Sequence, residues 1–262
     1  MKVSNLGWAT DLMFLRWLSE VDTFPVYARI RTPSNPTFHW GNFLYFDGPP
    51  QPGDEVRWRE AFAQEFPGAS YEAIGWETDS PLTDDVSRFE DLGLQREVCS
   101  VMTAQAVIPP THPNDEVAIR TLDSDDDWRQ RVENQVACRD EVFSEQGYRT
   151  FAEASGRNYR KLQEEGKGAW FGAFIGDRLV ADCGLYFEDG VGRYQSVGTS
   201  PEFRRRGICQ TLVYEVASHG FQVWNLDTLV IVAEDDQPAG RIYASLDFRV
   251  TDKQVFLYRR AG

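Results

Sequence analysis

Three consecutive arginines, Arg204, Arg205 and Arg206, stand directly before Gly207 and a helix-forming run. The surrounding stretch, from Tyr194 to Gly220, reads Y-Q-S-V-G-T-S-P-E-F-R-R-R-G-I-C-Q-T-L-V-Y-E-V-A-S-H-G. Residues 194–199 form a short β-type run with Val197 and Thr199 β-branched, and Ser200-Pro201 ends it. Leu212, Val213, Val216 and Ala217 then recur at helical spacing, with Gly220 as a stop. A glycine turn opening a helix gathers free backbone N–H groups and the positive end of the helix dipole at one point. With arginines beside it, such a place suits a pyrophosphate.

Other residue types that could do chemistry are thinly spread. Cys99, Cys138, Cys183 and Cys209 form no C-x-x-C pair, and His39, His112 and His219 are equally scattered. Neither a metal site nor a disulfide framework is expected, and each cysteine reads as a small packed residue. The net charge of −14 argues against general nucleic-acid binding, which needs a basic face. No run approaches the roughly 20 apolar residues of a membrane span. M-K-V-S-N-L-G-W-A-T-D at the start lacks the apolar core of a signal peptide. The expectation is a cytoplasmic protein without a membrane partner, a monomer or homodimer.

The elements that must position these residues follow from periodicity. In the first half, helices are expected over 5–20, 55–66 and 84–92, and strands over 26–31, 38–46, 71–76 and 97–107. D-G-P-P-Q-P-G-D, after Phe46, is a turn-rich loop. His39, beside Trp40 in an aromatic run, reads as a packed residue. Ile108 to Asp115, I-P-P-T-H-P-N-D, holds three prolines and marks a boundary, giving domains 1–112 and 113–262. Beyond it come a strand over 117–122 and D-S-D-D-D-W, whose aspartates suit a helix N-terminus. Helices over 128–143 and 149–165 follow, then strands over 169–175 and 179–186 joined by Gly176-Asp177. Past the arginine loop the pattern gives a strand over 228–233, a helix over 238–246, and an antiparallel pair over 248–251 and 254–259.

The order β-α-α-β-β-β-α-β-α-β-β, with three motifs, resembles the GNAT acetyltransferases over about 117–260. V-G-T-S-P-E-F-R-R-R-G-I-C is similar to the family's acetyl-CoA loop, [QR]-x-x-G-x-[GA], at Arg204, Gly207 and Cys209. The hairpin G-D-R-L-V-A-D-C-G-L-Y precedes it, and A-E-D-D-Q-P-A-G-R-I-Y-A-S-L-D-F is similar to N-x-x-A-x-x-[LI]-Y-x-x-L-G-F. Cys209 stands where the family has Gly or Ala, and Asp236 and Asp247 replace its Asn and Gly. The resemblance implies an α+β GNAT fold, a mixed and mostly antiparallel sheet flanked by helices.

It also implies a reaction: an acetyl group passes from acetyl-CoA to a primary amine, of a small molecule or a peptide, by direct attack in a ternary complex. Arg204, Arg205, Arg206, Gly207, Ile208, Cys209 and Gln210 would hold the pyrophosphate. Val197, Gly198 and Thr199, on a strand that splays from its neighbour, would pair with the pantetheine and offer a backbone donor to the thioester. Tyr243 would protonate the departing thiolate. Glu234 is the leading candidate for the base, with Glu188 and Asp189 behind it, and no metal is implied. The first half parallels the second: W-E-T-D and F-E-D-L-G-L match A-E-D-D and Y-A-S-L-D-F, with Phe89 at the place of Tyr243. The 47–55 loop has no arginine, so a degenerate GNAT-like copy is expected, an unrelated α+β domain being the alternative. A non-catalytic acyl-CoA sensor and an acidic assembly protein are the competing functions.

Overall fold

The Asn5 side chain accepts the N–H of Trp8 (3.1 Å) and so starts the first helix. From there the computed structural model describes residues 3–79, 82–235 and 237–260. In chain order the elements are α1 (Leu6–Leu18), β1 (Glu20–Thr23), β2 (Tyr27–Arg31), β3 (Phe43–Phe46), α2 (Asp54–Glu65), β4 (Glu72–Trp76), α3 (Ser87–Asp91) and β5 (Gln95–Ala104). They continue with β6 (Ala118–Thr121), α4 (Asp125–Cys138), α5 (Glu145–Glu164), β7 (Gly168–Ile175), β8 (Arg178–Glu188) and β9 (Val191–Thr199). Last come α6 (Ile208–Gln222), β10 (Thr228–Glu234), α7 (Ala239–Ala244) and β11 (Arg249–Arg259). Most of the expected helices and strands are present with shifted ends, β1 is added, and two expectations, over 38–46 and 248–259, are corrected.

Two compact units form, one of the residues up to Val101 with those from Asp252 onward, the other of Met102–Thr251. The units do not follow a single cut at 112. Residues 102–112 go with the second unit, where Met102 and Ala104 enter its core and Ile108 N–H bonds the Leu246 carbonyl (3.3 Å). The proline-rich stretch is likewise no free linker. Asn114 donates its N–H to Thr211 Oγ1 (2.8 Å) and its side-chain amide to the Arg206 carbonyl (2.9 Å).

In the first unit the sheet runs β1-β2-β3-β4-β11-β5. The antiparallel pair expected over 248–251 and 254–259 is instead the single strand β11. Its turn-like T-D-K stays extended because its neighbours are tied down. The Lys253 carbonyl accepts from Asn5 Nδ2 (2.9 Å), Gln254 Nε2 donates to Asp11 (2.6 Å), and Phe256–Arg259 pair antiparallel with β4. The run expected as one strand over 38–46 is split by a short 3-10 turn at His39–Gly41. Buried Asn42 causes the split, accepting the Thr32 N–H (2.9 Å) while donating to the Phe38 (2.7 Å) and Asn35 (3.1 Å) carbonyls. His39 is packed as expected, stacked on Tyr71 at 4.0 Å and bonded to the Tyr258 hydroxyl (2.5 Å).

Strands β3 and β4 are parallel and stay paired to their ends, at Phe46 opposite Trp76. Trp58 of α2 stacks on Phe46 (4.0 Å, 8°) and meets Trp76 and Phe89 at 6.2 and 5.5 Å. Each aromatic ring so buried contributes roughly 1.5–3 kcal/mol, so this plug is a main anchor of the unit.

In the second unit the sheet runs β10-β9-β8-β7-β6, antiparallel except for β9 with β10. Buried Leu212, Val213, Val216 and Ala217 bring α6 onto this sheet. The aspartate run starts α4 as expected, through a capping box in which Ser124 and Asp127 bond each other's backbone. Asp127 also takes both Arg120 guanidinium nitrogens at 2.8 Å.

Candidate functional site

Strand β9 follows β10 only as far as Arg193 opposite Val230, yet β9 runs on to Thr199 and β10 to Glu234. The two diverge, and a cleft of about 700 Å³ opens in the second unit. Val197, Gly198 and Thr199 line it from β9, and Arg204, Arg205 and Gly207–Gln210 from the loop and the first turn of α6. Gln237, Pro238, Ala239 and Ile242 close it from the α7 side, and Cys138 from the end of α4.

The loop geometry explains why the helix N-terminus stays open. Arg205 and Gly207 are both left-handed, with φ of 60° and 74°. Alternating such residues turns successive N–H groups into one concavity, an anion-binding nest. No side chain caps α6, and its first turn carries no acidic residue. Its entry is fixed from behind: the Tyr194 hydroxyl donates to the Val213 carbonyl (2.7 Å), and a Cβ on Gly207 would lie 3.1 Å from the His112 carbonyl.

The first unit also has a helix entered through a left-handed glycine, but its loop N–H groups are already taken. Gly53, left-handed at φ 96°, also opens a helix, α2. There Asp54 accepts the Gln51 N–H (2.7 Å) and Glu55 the Gly53 N–H (2.8 Å). The carboxylates of the helix itself thus accept the loop N–H groups, and Trp58 packs on Phe46 and Trp76 at the ends of the paired strands.

Of the residues expected to act, nine line the cleft: Val197, Gly198, Thr199, Arg204, Arg205, Gly207, Ile208, Cys209 and Gln210. Arg204 Nε donates to the Thr199 carbonyl (3.1 Å), and Gln210 Nε2 donates to Ser245 Oγ (2.7 Å) at the end of α7. Arg206 is absent from the lining. It is paired with Glu116 and its guanidinium stacks 5.3 Å over Phe203. Tyr243 is 4% exposed and belongs to the core rather than the lining. Burial first, then the neighbouring Cys209 and Cys183, hold its phenol well above the ordinary value, so it is a neutral donor. Glu234 is exposed at the end of β10 and outside the lining. Glu188, opposite Val191, and Asp189, in the turn before β9, lie at the opposite end of β9 from Thr199 and outside the lining. Asp236 lies outside the described residues.

Sequence reasoning missed two things. Cys138 lines the cleft and donates to the Thr199 carbonyl (3.2 Å), with burial pushing its thiol up to about 11. Asp182 is fully buried beneath β9, its signal being a lone charge in the apolar run L-V-A-D-C-G-L. Among the described residues, neither a histidine nor a carboxylate lines the cleft, and no three His, Cys, Asp or Glu side chains gather as metal ligands would.

Residues 128–248 match the family model described as "Acetyltransferase (GNAT) family". Among solved structures, a functionally unknown conserved protein from Staphylococcus epidermidis superposes with a TM-score of 0.71 at 12% identity, covering 93% of this chain and 95% of that one. A GCN5-related N-acetyltransferase from Kribbella flavida gives 0.70 at 14%, covering 99% and 98%. A tandem GNAT protein from the clavulanic acid biosynthesis pathway gives 0.54 at 14%, covering 96% and 87%. At these identities the likeness concerns the fold. Among curated proteins, no sequence matches this chain.

Proposed function

From the premise that residues 128–248 are a GNAT acetyltransferase domain, we propose that the chain moves an acetyl group from acetyl-CoA to a primary amine by direct attack. One observation carries the reading. The gap between β9 and β10 leads directly to an uncapped helix N-terminus flanked by Arg204 and Arg205. A pyrophosphate needs the second feature, and an extended pantetheine arm needs the first.

Acetyl-CoA supplies the activated acyl group, and the chain supplies placement and protons. Backbone N–H groups of 205–210 and the guanidinium groups of Arg204 and Arg205 receive the pyrophosphate. Val197 and Thr199 offer strand-edge backbone to the arm, and the Val197 N–H serves as the donor for the thioester carbonyl. The Tyr243 hydroxyl, kept neutral by burial, is the proton source for the thiolate beside Cys209. With Glu234 outside the cleft wall, the proton of the attacking amine passes to water.

A second reading, an acyl-CoA-binding module without turnover, is favoured by the absence of a carboxylate from the lining among the described residues and by the burial of Tyr243. An amine-panel assay following free thiol release separates them. On the first reading, thiol appears with at least one amine, Tyr243→Phe lowers kcat by about 10- to 100-fold at an unchanged KM, and Glu234→Gln stays within about twofold. Acetyl-CoA that binds in calorimetry yet releases no thiol with any amine establishes the second.

A further inference from the structure

Asp182 of β8 is fully buried, and side chains from two elements hold its carboxylate. Trp170 Nε1 of β7 donates to Oδ2 (2.7 Å), Gln135 Nε2 of α4 reaches both oxygens (3.1 Å each), and Asn134 Nδ2 bonds Oδ1. Arg131, 1% exposed, stacks 4.3 Å over the Trp170 ring. It bonds the Ala152 carbonyl (2.7 Å), but its Nε stands 4.0 Å from Asp182 Oδ2 without a hydrogen-bond partner among the described residues. Desolvating a carboxylate and a guanidinium for an imperfect pair is a poor way to gain stability, and well-packed apolar residues would do better. The cluster therefore calls for a reason outside itself.

That reason lies in β9. Gln135 Nε2 also donates to the Ser196 carbonyl (3.1 Å), and Asn134 Nδ2 reaches the Gly198 carbonyl (3.4 Å). Both belong to the irregular part of the strand. The register of β8 with β9 slips between Asp182 and Gly184, and Ser196 sits at φ 46°, uncommon for a residue with a side chain. Close approach of α4 also explains Gly198, where a Cβ would lie 3.3 Å from Gln135 Nε2 and 3.4 Å from Cys138 Sγ. Because a peptide is planar and trans, the C=O of one residue and the N–H of the next point in opposite directions. With the Ser196 C=O drawn toward Gln135, the Val197 N–H points away from that side chain, and Val197 lines the cleft.

We propose that Asp182, Gln135 and Asn134 are a positioning cluster that sets the bulge in β9 and aims the Val197 N–H at the acyl group. Asp182 anchors the two amides, the amides hold the carbonyls, and the carbonyls turn the peptide. None of the three lines the cleft, so they act through the strand and not on the substrate. The inference rests on the acyl-CoA reading of the cleft.

The test uses the full chain and compares amide nitrogen–proton spectra with CoA and with acetyl-CoA, which differ by the acetyl carbonyl. In the wild type, both ligands shift Gly207–Gln210, and acetyl-CoA adds a shift at Val197. Gln135→Met keeps length and apolarity without the donors. It is expected to keep the Gly207–Gln210 response and lose the acetyl-specific one. Its kcat falls on the order of 10- to 100-fold while KM for acetyl-CoA stays within about threefold. Gln135→Asn, one methylene shorter, keeps an amide beneath Asp182 but withdraws from Ser196, and serves if the Met variant does not fold. Trp170→Phe removes a donor to the same carboxylate without touching β9 and is expected to retain the Val197 response. If the Gln135 variants retain that response, or if Trp170→Phe loses it equally, the cluster is only structural and the proposal is overturned. If neither ligand shifts Gly207–Gln210 in the wild type, the acyl-CoA reading itself fails and takes this inference with it.

Discussion

The Arg206 guanidinium is paired with Glu116 and stacked on Phe203, while its neighbours Arg204 and Arg205 line the cleft. We therefore expect Arg204→Ala and Arg205→Ala each to weaken acetyl-CoA binding about tenfold, with an effect that shrinks at high salt, and Arg206→Ala to stay within about twofold. Calorimetry at two ionic strengths decides this, and equal losses at all three positions would contradict the assignment. The sequence shows three equivalent cations, since side-chain direction in a loop follows from φ, and nothing in R-R-R-G announces the left-handed turn at Arg205. Tyr243 illustrates the same limit. Its position in a motif is readable, but its depth depends on Cys183 and Cys209, which meet it only after β8, α6 and α7 have packed. Asp182 was legible only as an oddity, because its partners Asn134 and Gln135 are far from it in sequence.

At the scale of elements, the entries to α2 and α6 share a left-handed glycine but differ in surroundings. A methyl group on Gly53 meets nothing within 4 Å, whereas on Gly207 it meets the His112 carbonyl at 3.1 Å. Both alanine variants bear the strain of a positive φ, about 1 kcal/mol. Only Gly207→Ala should also lower acetyl-CoA affinity, by at least about tenfold, since it shifts the N–H groups that form the nest. Thermal unfolding with and without ligand separates the two effects. The α4–β8 contact carries a pH signature. Burial pushes the Asp182 carboxyl up to about 6, against the opposing pull of Arg131, Asn134, Trp170 and Gln135. Cys138 of α4, Tyr148 of α5 and the adjacent Cys183 also feel its charge. With the folded pKa above the unfolded value near 3.9, the native state holds the extra proton between about pH 4 and 6. Stability from this group is full below that window and is lost as pH rises through 6, a difference on the order of 3 kcal/mol. The Tm of the wild type minus that of Asp182→Asn should accordingly grow by several degrees from pH 7 to pH 5, and a flat difference would refute the assignment. Asp127 does not blur this comparison: hydrogen bonding to Arg120 holds its carboxyl far below the usual range, so its contribution is lost only in stronger acid.

Across the whole molecule, both units place a strand, a glycine-entered helix, a parallel strand and a short helix in the same order, but one is open and the other closed. β9 and β10 part after Arg193, whereas β3 and β4 stay paired to Phe46 and Trp76 with Trp58 stacked against them. Titration should therefore find one acetyl-CoA per chain, and a stoichiometry of two would require the aromatic plug to move. The missing arginines of the 47–55 loop are legible in the sequence, whereas the stacking of Trp58 on Phe46 is not, because it depends on how α2 packs. The final strand was harder to read, because T-D-K resembles a turn and no local pattern tells a strand which sheet it will join. Its destination has a consequence for biosynthesis. Residues 252–259 complete the sheet beside β4, yet they are translated after every element of the second unit. On the ribosome, the unit that is made first must wait with Glu72–Gly75 unpaired along one edge, and the unit that is made second can be finished before it.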